Sequence, residues 1–215
     1  VPFAGTFTTH GIVVVMLLVQ VGGLGVMTFA TLGAVLIGQR VGFRNLLTVR
    51  EELGSTDSPR NVFRLIGQIA GITLLVEAAG AVVLAAGFIG SGFGYGQGLF
   101  QAVFHAIAAF CNAGFVALPA GDLTSYAGAP SVNLTLVALI VLGGLGFPVH
   151  VNLYHYRQMR RPTLHSKLVL ITSAALVLIG VLSVAFLEWT NPATLGGEPT
   201  ATRLWGSLFQ GVKAR

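Results

Sequence analysis

The chain has 215 residues, of which 54% are hydrophobic and only 9% are charged. Its mean hydropathy of +0.82 excludes an ordinary soluble globular domain and indicates an integral membrane protein. The formal net charge is +5, but the basic residues form no stripe with interleaved aromatic residues, so we expect no nucleic-acid partner. The single cysteine, Cys111, excludes an internal disulfide. No charged region of a signal peptide precedes the first apolar run.

Four apolar segments are long enough to cross a hydrocarbon core of about 30 Å as helices of about 20 residues. They are residues 11–39, 65–90, 131–154 and 168–187. The only formal charge within them is that of Glu77, in the second segment. We therefore predict an all-α integral membrane protein with four spans, the first of which occupies residues 1–38.

Basic residues in the connections predict the orientation of these spans. Residues 39–64 contain five arginines, and Arg157, Arg160, Arg161 and Lys167 lie between the third and fourth spans. The connection 90–130 contains no lysine or arginine. By the positive-inside rule, residues 39–64 and 158–167 are predicted cytoplasmic loops and residues 90–130 are predicted to lie outside.

The outer connection contains a short apolar stretch, FHAIAAFCNAGF, at residues 104–115. Glycine occupies every second position from Gly90 to Gly98, which disfavours a helix there. Residues 99–110 then form a run of about twelve residues, or about 18 Å of helix. Since both flanking spans place their ends on the outer side, we predict a re-entrant pore helix over 99–110 and a turn at 111–116.

An internal repeat accompanies this half-helix. GGLG occurs at residues 22–25 and 143–146, each time in a span that enters the membrane from outside, and residues 204–215 follow the fourth span as residues 100–111 follow the second. The repeated unit is helix, pore helix, turn, helix. Residues 1–38 then end a first repeat, residues 65–157 form a complete second one, and residues 168–215 begin a third. The GGLG pairs are predicted packing surfaces that leave room for the half-helix, and Pro148 predicts a kink.

The turn after the half-helix predicts a cation pore. Non-helical backbone at membrane depth requires burial in protein or a water-filled path. The carboxyl end of a helix carries about half a negative charge, and Gly114 allows backbone carbonyls to point inward. Carbonyl rings replace the hydration shell of a monovalent cation.

Four stretches of the chain resemble the Trk/Ktr/HKT superfamily of potassium transporters, most closely its Ktr-type membrane subunit. They are GTFTTHGIVVVMLLVQVGGLGVMTFATL (5–32), LVEAAGA (75–81), FHAIAAFCNAGF (104–115) and VLGGLGFPV (141–149). The resemblance implies four repeats around a central pore and uptake of K+, with Na+ as a second candidate and no organic cofactor. It also implies a homodimer in the bacterial inner membrane and a cytosolic nucleotide-binding regulatory ring. The other filter segments would lie outside this chain, which therefore looks like a fragment.

The resemblance also assigns residues to the filter. Asn112, Ala113, Gly114 and Phe115 match the second filter segment of the family, with carbonyls around Gly114 as ion ligands. Cys111 stands where Ktr-type chains usually have a polar residue, often Asn. Because it adjoins the filter, its thiol is predicted to border the outer pore, and a small packed residue is the alternative.

Two charged residues are further pore-adjacent candidates. Glu77 in mid-span costs about 2.5–3.5 kcal/mol on insertion scales and is a functional-site hypothesis; the alternative is a structural glutamate that meets Gln20. In the family a basic residue precedes the third filter, where Arg215 falls, so Arg215 is predicted to brace that half-helix.

Two other functions compete with transport. A haem-carrying redox subunit would need paired histidines, but His150 and His155 are about 140° apart around a helix and share no face. His105 is expected to be a packed or hydrogen-bonded residue, and we expect no transition metal and no enzyme activity. The remaining alternative is a scaffold subunit without ion transport.

Overall fold

A computed structural model describes residues 7–36, 59–119, 123–154, 164–192 and 194–214. Helices account for most of these residues, and a short 3-10 turn, Thr124–Tyr126, lies in the outer connection. In chain order the helices are α1 (Thr9–Leu36), α2 (Pro59–Gly90), α3 (Tyr95–Phe110), α4 (Pro130–Leu145), α5 (Phe147–Tyr154), α6 (Leu164–Glu188) and α7 (Thr200–Lys213). The predicted all-α class is confirmed.

The described helices include segments that suit a membrane. By length and composition, Gly67–Gly90 in α2 and Leu164–Glu188 can each cross a bilayer. The first and third predicted spans contain further apolar helical stretches, Thr9–Gly25 within α1 and Pro130–Leu145. Helix α6 exposes many large apolar side chains, among them Ile171, Ile179 and Phe186, as is expected where lipid or other membrane helices cover a surface.

The predicted pore helix over 99–110 begins four residues too late, because the structure starts α3 at Tyr95. Gly94 has φ −61° and ψ 150° as the N-cap, so the chain turns before the helix and not within it. Of the glycines in the first turns, Gly98 packs closely against α2: a Cβ there would be 2.7 Å from Ile89 Cγ1.

Three other predicted boundaries also change. Helix α2 begins at Pro59, inside the predicted cytoplasmic loop 39–64, because proline has no N–H to lose in a first turn and its φ suits a helix. Helix α6 begins at Leu164 and α7 at Thr200, four residues before the predicted starts. Residues 37–58 and 155–163, which include His155 and most of both predicted loops, lie outside the described residues.

The predicted span over 131–154, with a kink at Pro148, is two helices in the structure. It divides into α4 and α5 at Gly146, which has φ 80° and ψ 153°. This backbone region is open essentially to glycine alone. Pro148 follows and has no N–H to continue the ladder, while Val149 N and His150 Nδ1 both donate to the Gly146 carbonyl, at 3.2 and 2.8 Å. The kink predicted at Pro148 is therefore a break two residues earlier.

Glycines set the packing of α2 on α4. A Cβ at Gly80 would be 2.7 Å from Leu139 Cδ1, and one at Gly87 would be 2.7 Å from Val132 Cγ2. The earlier glycine of α2 meets the later residue of α4 and the later glycine meets the earlier residue, so the two helices are antiparallel. Without side chains at these glycines the helices approach closely, as is common between membrane helices.

A long helix followed by a short one occurs twice among the described residues, as α2 with α3 and as α6 with α7. The second pair also meets at glycines: a Cβ at Gly180 would be 2.7 Å from the Gly211 carbonyl oxygen. This order of a long and a short helix matches the predicted repeat. That the chain is built from such repeats stays a prediction.

Candidate functional site

Helix α3 folds back along α2. Its start packs Gly98 against Ile89, its middle places the His105 ring 5.7 Å from that of Phe88, and its end brings Cys111 Sγ to 4.0 Å from Glu77 Oε1. Glu77 is about 20 Å along the helix axis from Gly90, the carboxyl end of α2. The carboxyl end of α3 therefore lies beside the middle of α2, whose segment Gly67–Gly90 is apolar enough to cross a membrane.

Helix α3 ends in a Schellman motif. Asn112 N donates to Ala109 O at 3.1 Å and Ala113 N donates to Ala108 O at 2.9 Å, which are the two reversed bonds that define this cap. Asn112 has φ 53°, a left-handed conformation that asparagine adopts more readily than most residues. The CNAG sequence thus stops the helix and turns the chain back.

The four predicted filter residues form one short turn after this cap. Asn112 and Gly114 are exposed, whereas Ala113 and Phe115 are half-buried. Gly114 has φ 68°, so left-handed residues alternate with ordinary ones. The Asn112 side chain turns back toward the Phe110 and Ile140 carbonyls, with Nδ2 at 3.4 and 3.5 Å.

Both GGLG segments pack against the end of α3. A Cβ at Gly143 would be 2.7 Å from the Phe110 carbonyl carbon and would overlap its oxygen. A Cβ at Gly23 would be 3.1 Å from Cys111 Cβ and would overlap its sulfur. The absence of a side chain at each glycine makes room for the half-helix, in agreement with the interpretation of GGLG as a packing surface.

Glu77 and Cys111 belong to a polar cluster at the base of α3. Glu77 is only 4% exposed, the Cys111 thiol donates to it, and its carboxyl group also lies near the Gln20 amide. The geometry of that last contact falls short of a hydrogen bond, since both polar atoms of Gln20 have no partner among the described residues. A cavity of about 200 Å³ between α2 and α3 adjoins Glu77.

One buried polar residue of α3 was not among the predicted site residues. Gln101 is buried, and its Nε2 donates to the Ala117 carbonyl at 2.8 Å, just beyond the predicted filter. His105 was expected to be hydrogen-bonded, and its Nδ1 lies 2.7 Å from the Gln101 carbonyl. The sequence feature that could have identified Gln101 is its position as a polar residue in an apolar half-helix, one turn before His105.

The remaining charged and metal-binding candidates add little to this site. Arg215 lies outside the described residues, so its predicted bracing role stays a prediction. Arg203 is held near the turn between α6 and α7, where its guanidinium donates to the carbonyls of Trp189, Gly196 and Glu198 at 2.7–3.2 Å. Within the described ranges, no three His, Cys, Asp or Glu side chains converge as they would around a metal ion.

The geometry defines a class: an all-helical membrane protein in which a half-length helix folds back beside a span and ends in a glycine-containing turn. Residues 6–212 match the family described as TrkH, cation transport protein. The chain belongs to this family.

Curated relatives agree with this assignment. The chain is 38% identical to the Ktr system potassium uptake protein B of Bacillus subtilis and 36% identical to the protein of that name from Vibrio alginolyticus. It is 33% identical to the potassium/sodium uptake protein NtpJ of Enterococcus hirae. Each match covers 97% of this chain but only 46% of the relative. The chain therefore spans about half the length of these relatives, which is consistent with the prediction of a fragment.

Proposed function

We propose that this chain contributes one filter segment to a channel-like transporter that takes up K+. Backbone carbonyls of Asn112, Ala113, Gly114 and Phe115 contact the ion. The observation that carries the proposal is the turn after α3, where a Schellman cap and two left-handed residues expose backbone at the deep end of a half-length helix. Membership of the TrkH family supports it.

The backbone of the turn supports ion binding through its carbonyls. In a regular strand successive residues face opposite sides, whereas a residue with positive φ breaks this alternation and changes the direction of its peptide groups. Asn112 and Gly114 have positive φ and no other residue of the turn does. The carboxyl end of α3 adds partial negative charge at the same place. Both features favour a cation that has lost part of its water.

The relatives suggest the setting of this activity. Two of them are named as parts of a Ktr system for potassium uptake, and a third as a potassium/sodium uptake protein. We therefore propose K+ as the transported ion and Na+ as a second candidate. We further propose a homodimer of the full-length subunit in the bacterial inner membrane, regulated by a cytosolic nucleotide-binding ring. Glu77 and Cys111 are proposed as pore-adjacent residues that support the filter from behind.

Ion uptake by purified full-length protein in liposomes tests the transport proposal. We expect uptake of radioactive rubidium down an imposed membrane potential, with unlabelled K+ competing more strongly than Na+. Liposomes without protein supply the background. Folded, reconstituted protein that moves neither K+ nor Rb+ above this background would reject transport and favour the scaffold alternative.

A further inference from the structure

We propose that Gln101 is a positioning residue for the filter segment. Its side-chain amide holds the carbonyl of Ala117, so the filter residues run between two fixed points and cannot relax around a smaller ion. The inference rests on the proposed function and names a residue that sets ion preference at that same site.

The first fixed point is the end of α3. The bond from Ala113 N to Ala108 O, 2.9 Å long, holds Ala113 beside the last turn of the helix. Gly143 closes against the Phe110 carbonyl on one side and Gly23 against Cys111 on another. The start of the filter segment is therefore fixed by hydrogen bonds and by close packing.

The second fixed point is Ala117. It is 4% exposed and its neighbour Leu118 is 1% exposed, so both are part of the packed interior. Gln101, 5% exposed, donates from Nε2 to the Ala117 carbonyl at 2.8 Å. The carbonyl oxygen can only accept, which assigns the nitrogen of the amide to this contact. The bond links the middle of α3 to the chain leaving the filter.

The distance between the two points constrains the residues between them. Ala108 and Gln101 are about 10 Å apart along the axis of α3. Four residues of chain, from Ala113 to Ala117, reach at most about 14 Å. The segment therefore runs antiparallel to α3 over most of its available length, and the bond from Gln101 to Ala117 limits how far it can collapse toward a smaller ion.

Gln101 is itself held in place. His105 Nδ1 donates to the Gln101 backbone carbonyl at 2.7 Å, and the His105 ring packs edge-on against the rings of Phe88 and Phe104. Within the described residues, Gln101 Oε1 is buried without a hydrogen-bond partner. The bond to Ala117 thus determines the orientation of the amide.

Replacing Gln101 with methionine tests the proposal, because methionine has a similar length and no donor. The full-length variant is reconstituted and its competition by K+ and Na+ against labelled Rb+ is measured per folded transporter. We expect the preference for K+ over Na+ to fall by about fivefold to tenfold, as for loss of one buried hydrogen bond. Gln68→Met makes the same chemical change at an exposed position of α2 and should leave the preference unchanged.

The outcomes separate the two proposals. If wild-type protein transports but folded Gln101→Met keeps the wild-type ion preference, Gln101 only contributes to stability and the positioning role is refuted. If Gln101→Met does not fold, Gln101→Asn keeps the amide but shortens its reach, and a changed preference in that variant supports the role. Failure of both variants to fold would count against it. Absence of flux in the wild type would instead refute the proposed function.

Discussion

Replacing Gly143 with alanine is expected to abolish cation uptake and to lower the yield of folded protein. The added methyl group would overlap the Phe110 carbonyl oxygen and lie 3.1 Å from the Phe110 Cα. These atoms belong to the backbone at the end of α3, so no side-chain rotation relieves the overlap. Overpacking commonly costs about 1–3 kcal/mol or more, and here it moves Phe110, the last residue of α3 before the filter turn. We expect uptake per cell to fall by at least about tenfold.

The other GGLG segment supplies matched controls for this substitution. A Cβ at Gly22 or at Gly25 would meet no atom within 4 Å. Gly22→Ala and Gly25→Ala should therefore retain uptake and folded yield close to wild type, and both are measured beside Gly143→Ala by rubidium uptake and size-exclusion chromatography. Equal effects at all three positions would show that these glycines matter for helix packing in general and not for the end of α3.

Replacing Gly114 with alanine is expected to weaken the preference for K+ over Na+ while leaving much of the protein folded. Gly114 has φ 68° and a Cβ there would meet no atom within 4 Å. The cost is therefore conformational, about 1–2 kcal/mol for a left-handed residue with a side chain. If the chain relieves this strain by turning its peptide groups, the carbonyls proposed to contact the ion move. Competition by Na+ against labelled Rb+ measures the change.

Gly92 provides a control that distinguishes the effect of backbone strain from an effect on the filter turn. It has φ 102° and open space around its Cα, and it lies in the outer turn between α2 and α3. Gly92→Ala should lower thermal stability by at least as much, because φ 102° lies outside the left-handed region that alanine can adopt, and should leave ion preference unchanged. A loss of preference in Gly92→Ala equal to that in Gly114→Ala would mean that general destabilisation, and not the filter backbone, explains the effect.

Much of the site could be predicted from the sequence because membrane burial restricts the choices. An apolar run too short to span, followed by Cys111, Asn112 and Gly114, indicates a half-helix and a turn, and the structure has both. The predicted start of α3, at residue 99, is four residues too late, because the glycine pattern alone does not show that Gly98 packs against Ile89. The sequence predicts a kink at Pro148, because proline is the stronger helix-breaking signal, but the helix ends before Gly146.

Other features of the site depend on tertiary contacts that cannot be predicted from the periodicity of the sequence. Both GGLG segments read alike, yet the contacts with α3 come from Gly23 in one and Gly143 in the other. The bond from Gln101 to Ala117 joins residues on opposite sides of the turn, and its formation depends on how far the chain folds back along α3. The alternative in which Glu77 meets Gln20 agrees with the structure, where the two side chains lie close together, whereas the contact from the Cys111 thiol to Glu77 was not predicted.

The position of a bound ion tests the central claim most directly. Crystals of the full-length protein soaked in Rb+ would be examined by anomalous diffraction for density beside residues 112–115. We predict a peak in direct contact with the backbone carbonyl oxygens around Gly114, reduced more by competing K+ than by the same concentration of Na+ at constant Rb+. Ordered protein with no peak at this turn, or with the ion bound only to side chains such as that of Glu77, would contradict a backbone filter here.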